Sequence, residues 1–320
     1  MKMLITGGSG FLGRALSVFL AQDMHKQGVQ IFWVTQQKSH KLQKDVAELN
    51  RFLYQCNVGG EATSDYIELI DYTELKNFKQ PIDLIINLAG AGIADKRWTD
   101  ERKHYLLQSR LQPTQAVLDF IAQAEHKPKL LISGSAIGWY GASGDVPLSE
   151  QSGYHDDFSH QLCQAWEDLA FTAPIPTTII RTGVVLDVLG GGMLAKLLPS
   201  FKLGLGGKLG DGQQIMSWIA LQDWIRAVSF IIQRHENQQL ITKVYNLTAP
   251  KPVTNAEFTQ ALGRYVKRPT LMTVPAFTLK LALGEMSTLL LDGQKVLPKQ
   301  LLDDGFVFLY DEIGQYLSKD

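Results

Sequence analysis

The stretch Met3-Leu4-Ile5-Thr6-Gly7-Gly8-Ser9-Gly10-Phe11-Leu12-Gly13-Arg14 decides the fold of this 320-residue chain. Its first residues form an apolar run of strand length, and residues 11–21 repeat apolar side chains at helical spacing. Between them Gly7, Gly10 and Gly13 stand three apart. Glycines in such a strand-turn-helix setting carry information that an isolated triplet lacks. The first permits a tight turn, the middle ones let backbone N–H groups approach a pyrophosphate, and the last lets the helix pack closely on the sheet. The helix N-terminus adds its partial positive charge. A dinucleotide is therefore expected against Gly7, Gly8, Ser9, Gly10, Phe11 and Leu12, with Arg14 as a further phosphate contact.

Working outward, residues 30–35, 66–69, 84–88, 130–133 and 177–181 read as short strands. Helical patterns lie between them at roughly 100–123 and 157–171. Short apolar strands alternating with helices predict an α/β fold, a doubly wound parallel sheet of the Rossmann type. Its expected extent is residues 1–188, followed by a smaller C-terminal α/β substrate region over 189–320, some of whose strands are free to rejoin the sheet. Composition shifts at Gly190. Eight glycines between 190 and 212, with Phe201 among them, read as a loop-rich cleft lining. Residues 255–266 and 276–291 read as helices, the latter opening after Pro275.

The end of the second strand indicates which dinucleotide. NAD sites usually place an Asp or Glu there to accept from the ribose 2′-hydroxyl. This chain has Thr35-Gln36-Gln37-Lys38-Ser39-His40-Lys41 and no acid. Donors at Thr35, Gln36 and Gln37 and the charge of Lys38 suit a 2′-phosphate, so NADP is expected over NAD. A lysine on a turn is also commonly just solvated.

Bulk properties narrow the rest. A net charge of −1 gives no electrostatic ground for a nucleic-acid or membrane partner. Two cysteines without metal-like spacing suggest a reducing compartment. Residues 275–291, the stretch nearest to a membrane span, are interrupted by Lys280, Gly284 and Glu285, and the first apolar run is too short for a signal peptide. A cytoplasmic protein with a small-molecule substrate is expected, its oligomeric state left open. The seven histidines show no paired ligand spacing, so no metal is expected.

Thr6 to Gly13 resembles the opening of extended short-chain dehydrogenases/reductases, the nucleotide-sugar epimerase and dehydratase group, and Asn87-Leu88-Ala89-Gly90 resembles their fourth-strand motif. More narrowly, several segments resemble the YfcH-type epimerase-like family: Gly92 to Trp98, Ser109-Arg110, Ser133 to Gly141, Trp166-Glu167, Arg181 to Leu186, Met216 to Ile219 and Pro252 to Phe258. The resemblance implies that Leu88, Ala89 and Gly90 lie along the cofactor. It also implies that Ser135 holds a substrate oxygen and that a Tyr-x-x-x-Lys pair moves the proton. A tyrosine titrates near 10, so a lysine must lower it before the phenolate works near neutral pH.

That pair is missing. The helix around Phe158-Ser159-His160-Gln161-Leu162-Cys163-Gln164-Ala165-Trp166-Glu167 has no lysine, and anchoring on Glu167 puts Ser159 and Cys163 in the two places. Tyr140, in a glycine-bounded loop, is the candidate replacement for the proton donor, with Glu150 and His160 as further acids or bases. Lys96 and Arg97 are candidate substrate contacts, and Trp218 stands, with Asp223, where the resembling enzymes close the substrate site. The expected function is an NADP-dependent oxidoreductase or epimerase acting on a small polar substrate, a nucleotide sugar among the candidates. The alternative is a catalytically weak dinucleotide-binding regulatory or sensor protein.

Overall fold

Strand β1 (Lys2–Thr6) runs through a seven-stranded parallel sheet in the computed structural model, which describes residues 1–23, 28–56, 65–239 and 243–318. Its alternation sets the layers. Met3 and Ile5 belong to one buried cluster and Leu4 to another, because successive strand residues face opposite sides. Strands β2 (Gln30–Thr35) and β3 (Ile67–Asp71) follow on one side of β1, and β4 (Leu84–Asn87) and β5 (Leu130–Ala136) on the other.

The later strands are β6 (Gly144–Leu148), β7 (Thr177–Thr182), β8 (Val184–Asp187), β9 (Gly207–Leu209), β10 (Ile215–Met216), β11 (Trp218–Ala220), β12 (Val244–Leu247), β13 (Val253–Thr254), β14 (Met272–Val274) and β15 (Gln294–Val296). The sheet order is β12-β7-β5-β4-β1-β2-β3. Parallel neighbours require crossovers, and helices supply them. Helices α1 (Phe11–Asp23) and α2 (His40–Cys56) cover one face. After the short α3 (Tyr72–Leu75), α4 (Asp100–Gln123) covers the other with Val117, Phe120 and Ile121, and α5 (Phe158–Ala170) packs beside it.

Residues beyond 188 return to this sheet. Strand β12 pairs with β7 and forms one edge. After α6 (Gly192–Lys202), α7 (Leu221–Glu236) packs against α1 and adds Trp224, Val228 and Ile231 to the core. A second core gathers Leu194, Phe201, Trp218, Leu262 and Tyr316 around α6 and α8 (Asn255–Tyr265). Helix α8 opens with a capping box, in which Thr254 Oγ1 accepts from the Glu257 N–H and Glu257 accepts from the Thr254 N–H.

Three expectations change. The third strand runs two residues later than its apolar pattern suggested, ending at Asp71, whose side chain caps α3. The stretch after Gly190 is less loop-like than its composition implied. Its glycines cluster on both sides of a glycine-free run, Met193 to Lys202, and that run is helical. The helix expected over 276–291 breaks at Gly284, whose φ of 59° reverses the chain.

Candidate cofactor and active site

The glycine turn is shaped by backbone contacts that leave no room for side chains. Gly7 has φ +68°, and a Cβ there would lie 2.8 Å from both the carbonyl carbon and oxygen of Leu88. A Cβ on Gly13 would lie 2.4 Å from the Gly7 oxygen, and one on Gly8 would run into the Trp33 ring at 2.3 Å. Trp33 is itself held by its indole N–H, which donates to Ser17 Oγ at 2.7 Å. Gly10 N–H donates to the Gly7 carbonyl at 3.0 Å and Arg14 N–H to that of Gly10 at 2.9 Å, closing the first turn of α1. Ser9, Gly10, Phe11 and Arg14 are exposed, and the first turn of α1 contains no acid. Leu12 packs partly against the core, so its backbone, not its side chain, faces the turn. A pyrophosphate fits this cradle: unopposed N–H groups, a helix dipole, and bare α-carbons where an anion must come close.

At the end of β2, Thr35 Oγ1 donates to the Gln37 carbonyl at 3.2 Å, while Gln36 and Gln37 are exposed. Lys38 is not a lone cation. Its Nζ lies 2.5 Å from a Glu74 oxygen, and this hydrogen bond holds the Glu74 carboxyl below the usual range. Ser39 accepts from the Leu42 N–H at 3.2 Å at the start of α2.

The ends of β4 and β1 are tied together under the turn. Thr6 Oγ1 donates to Asn87 Oδ1 at 2.6 Å and accepts from the Ala89 N–H at 3.2 Å. Asn87 Nδ2 donates to Thr114 Oγ1 at 2.8 Å and to Ser133 Oγ at 3.2 Å. The Asn-Leu-Ala-Gly segment therefore runs beside the glycine turn, with Leu88 against Gly7 and Gly90 exposed.

The next strand end departs from the expected site. Ser135 Oγ donates to Glu167 Oε1 at 2.6 Å. Glu167 is paired bidentately with Arg181, at 2.9 Å to Nε and 2.8 Å to Nη2, and both side chains are 4 % exposed. Arg181 also donates to the Tyr140 oxygen at 3.2 Å, and its guanidinium carbon sits 3.5 Å from the Trp139 ring centre. Tyr140 was expected to present its phenol to the cleft. It is fully buried instead, and its hydroxyl donates to Asn246 Oδ1 at 2.7 Å. Burial pushes that hydroxyl above its ordinary range, although Arg181 works the other way. Glu150 accepts the Asn246 N–H at 3.0 Å and serves as a structural acceptor. His160 is buried, stacked on Tyr154 at 3.6 Å, with Nδ1 at 2.5 Å from the Trp139 carbonyl.

The substrate candidates divide. Lys96 and Arg97 are exposed in the loop after β4. A Cβ on Gly284 would lie 2.9 Å from the Arg97 guanidinium, and Asp95 pairs with Lys196 at 2.8 Å, so this loop meets the C-terminal region. Gly191 closes the other side, its α-carbon packed on the Phe11 ring at the cofactor turn. Trp218 does not line this space. It is fully buried, stacked on Tyr316 at 5.8 Å, and its indole N–H donates to the Lys251 carbonyl at 3.1 Å. Asp223 likewise accepts the N–H groups of Leu309 and Tyr310 at 2.8 and 2.9 Å. Trp218→Phe is expected to cost about 1–2 kcal/mol through the lost hydrogen bond and imperfect packing. Dinucleotide affinity should stay unchanged, as paired denaturation and binding titrations would show.

Glu167, Arg181 and Asn246 were not sequence candidates. The first two stand only inside resembling motifs, and the third has no local signal. Among the described residues no cluster of His, Cys, Asp or Glu is arranged to hold a metal, and no helix is long and apolar enough to cross a membrane.

The chain is similar to several known proteins. The family model for the NAD dependent epimerase/dehydratase family matches residues 3–247, and a domain of unknown function, DUF1731, matches residues 274–319. The chain is 35% identical over 323 aligned positions to the chloroplastic epimerase family protein SDR39U1 homolog of Arabidopsis thaliana, covering 99% of this chain and 86% of that one. It is 32% identical to the epimerase family protein YfhF of Bacillus subtilis, covering 100% and 97%. Among solved structures, human epimerase family protein SDR39U1 (isoform 2) with NADPH superposes with a TM-score of 0.80 at 28% identity, covering 99% and 98%. UDP-glucuronic acid 4-epimerase from Bacillus cereus superposes with a TM-score of 0.71 at 15% identity, covering 99% and 96%, a likeness of fold alone.

Proposed function

The chain belongs to the NAD dependent epimerase/dehydratase family, and on that premise we propose that it binds NADPH and acts as an NADP-dependent oxidoreductase or epimerase-like enzyme on a small polar substrate. One observation carries the reading: bare α-carbons at Gly7, Gly8 and Gly13 close a pyrophosphate cradle beside a second-strand end that lacks an acid. The NADPH in the human relative's structure supports the choice of nucleotide. NADPH supplies a hydride; the chain's part is to hold and orient it. The turn and α1 would hold the pyrophosphate, and Thr35 to Lys38 the 2′-phosphate. Leu88 to Gly90 would run along the nicotinamide half.

The substrate would lie between Lys96 and Arg97 on one side and the region from 189 on the other, apart from the returning α7 and β12. A nucleotide sugar is one candidate. Ser135 would meet a substrate oxygen. Its hydroxyl must first turn away from Glu167, to which it donates.

The second reading, a dinucleotide-binding protein with weak catalysis in a cytoplasmic regulatory role, is favoured by the same strand end. Ser159 and Cys163 occupy the places of the tyrosine and lysine, and Tyr140 is committed to Asn246. Supplying NADPH with a panel of carbonyl substrates, and NADP with alcohols, separates the two. Tight binding with no turnover across the panel favours the second.

Lys38 gives a direct test of nucleotide choice. Its partner Glu74 is largely exposed, and surface pairs of this kind contribute little, so a 2′-phosphate displaces the carboxylate at small cost. NADPH is expected to bind at least about tenfold tighter than NADH, with Lys38→Glu removing the preference and Glu74→Gln enlarging it. Equal affinities for NADPH and NADH in the unaltered protein would sink this assignment.

A further inference from the structure

The absent lysine leaves a question of charge. In the resembling enzymes a cation on α5 stands beside the nicotinamide ribose, and here that place holds Cys163. Burial pushes this thiol up to about 11, so it is neutral and supplies no charge. A cation comes from a different helix. Arg110, on α4, lies close enough to Cys163 for its charge to act on the thiol.

Arg110 is placed by several contacts. A Cβ on Gly90 would lie 3.3 Å from its Cγ and Cζ and 3.5 Å from its Nε, so the side chain rests on the exposed end of the Asn-Leu-Ala-Gly segment. Nη1 donates to the Leu106 carbonyl at 3.0 Å, and the guanidinium carbon sits 5.3 Å from the Trp166 ring centre. The preceding Ser109 accepts the Ala91 N–H at 3.0 Å, fixing the loop against the helix. Among the described residues no carboxylate pairs with Arg110, and its Nε and Nη2 make no hydrogen bond. The side chain is only half-buried and these two donors are not sealed from solvent, so a ligand entering the crevice can take them up.

We propose that Arg110 binds the nicotinamide-side ribose of the dinucleotide, making the hydrogen bonds for which α5 carries no lysine. The assignment rests on the dinucleotide reading above. It also explains why the family-like Ser109-Arg110 pair sits at this point of α4. The serine holds the loop and the arginine reaches past it to the cofactor crevice at the carboxyl ends of β4 and β5.

The test compares two ligands. NADPH spans both halves of the crevice, whereas 2′,5′-ADP reaches only the adenosine half. Each is titrated by calorimetry into the unaltered protein, Arg110→Met and Arg110→Lys. Arg110→Met is expected to weaken NADPH about tenfold to a hundredfold, the factor for losing charge-assisted hydrogen bonds, and to leave 2′,5′-ADP within about twofold. Arg110→Lys should fall between. Unchanged NADPH affinity in Arg110→Met overturns the assignment, as does a parallel loss of both ligands, which would make Arg110 a brace for the loop. If the unaltered protein binds neither ligand, the dinucleotide reading itself fails and this assignment with it.

Discussion

Glu167→Ala is expected to destabilise the fold by about 3–5 kcal/mol, the cost of leaving a buried charge without its partner. Arg181 would keep a neutral hydroxyl at 3.2 Å, the Trp139 and Tyr140 rings and the more distant Glu150 charge, inside a site where its side chain is 4 % exposed. Ser135 would lose its acceptor in the same step. Burying a pair is different from burying one charge. The double replacement Glu167→Leu with Arg181→Met removes both charges and should recover most of the loss, because apolar substitutes of similar size avoid the desolvation penalty. Urea denaturation of Glu167→Ala and the double variant checks this. A double variant no more stable than Glu167→Ala would show that the loss does not come from the unpaired Arg181 charge.

Gly7→Ala is expected to weaken NADPH binding by more than about a hundredfold while costing about 2–5 kcal/mol in stability. The stability loss combines a left-handed backbone, about 1–2 kcal/mol, with overpacking against β4, about 1–3 kcal/mol. The affinity falls because the only relief from a 2.8 Å contact with Leu88 is to move the turn, and with it the N–H groups aimed at the pyrophosphate. Gly28 provides the control. Its φ is +65°, close to that of Gly7, but nothing lies within 4 Å of its Cβ position. Gly28→Ala should cost only the backbone contribution and leave NADPH affinity unchanged. If both variants bind alike in calorimetric titrations, the contact with Leu88 is not what shapes the turn.

The two sites show what a sequence reveals. The turn from Met3 to Arg14 was legible because its determinants are local: a strand, four glycines and the start of a helix within twelve residues. The missing lysine was legible for the same reason, since one short helix either contains it or does not. Tyr140 was misread because its direction depends on distant chain. Asn246 lies 106 residues away, on a strand of four residues that gave no periodic signal. Lys38 falls between these cases. Its charge was evident, but Glu74, 36 residues on, was not evident as its partner. Trp218 was misplaced because a tryptophan in a glycine-rich segment suits a cleft wall and a core equally, and only the packing of Tyr316 decides.

Strand β12 has a consequence for the order in which the molecule forms on the ribosome. The edge of β7 is completed only by Val244–Leu247, after α6 and α7 have been made. Synthesis at about 5–20 residues per second leaves that edge open for roughly 3–13 s while the chain between Thr182 and Leu247 emerges. During this interval Ile179 and Ile180 lie on an unpaired rim, the kind of surface that recruits other nascent chains. Arg181, from the same rim, lacks Asn246 to hold Tyr140 beside it. A fragment ending at residue 188 would stay in this state permanently, which makes the returning strand a condition for the nucleotide half to reach its finished form.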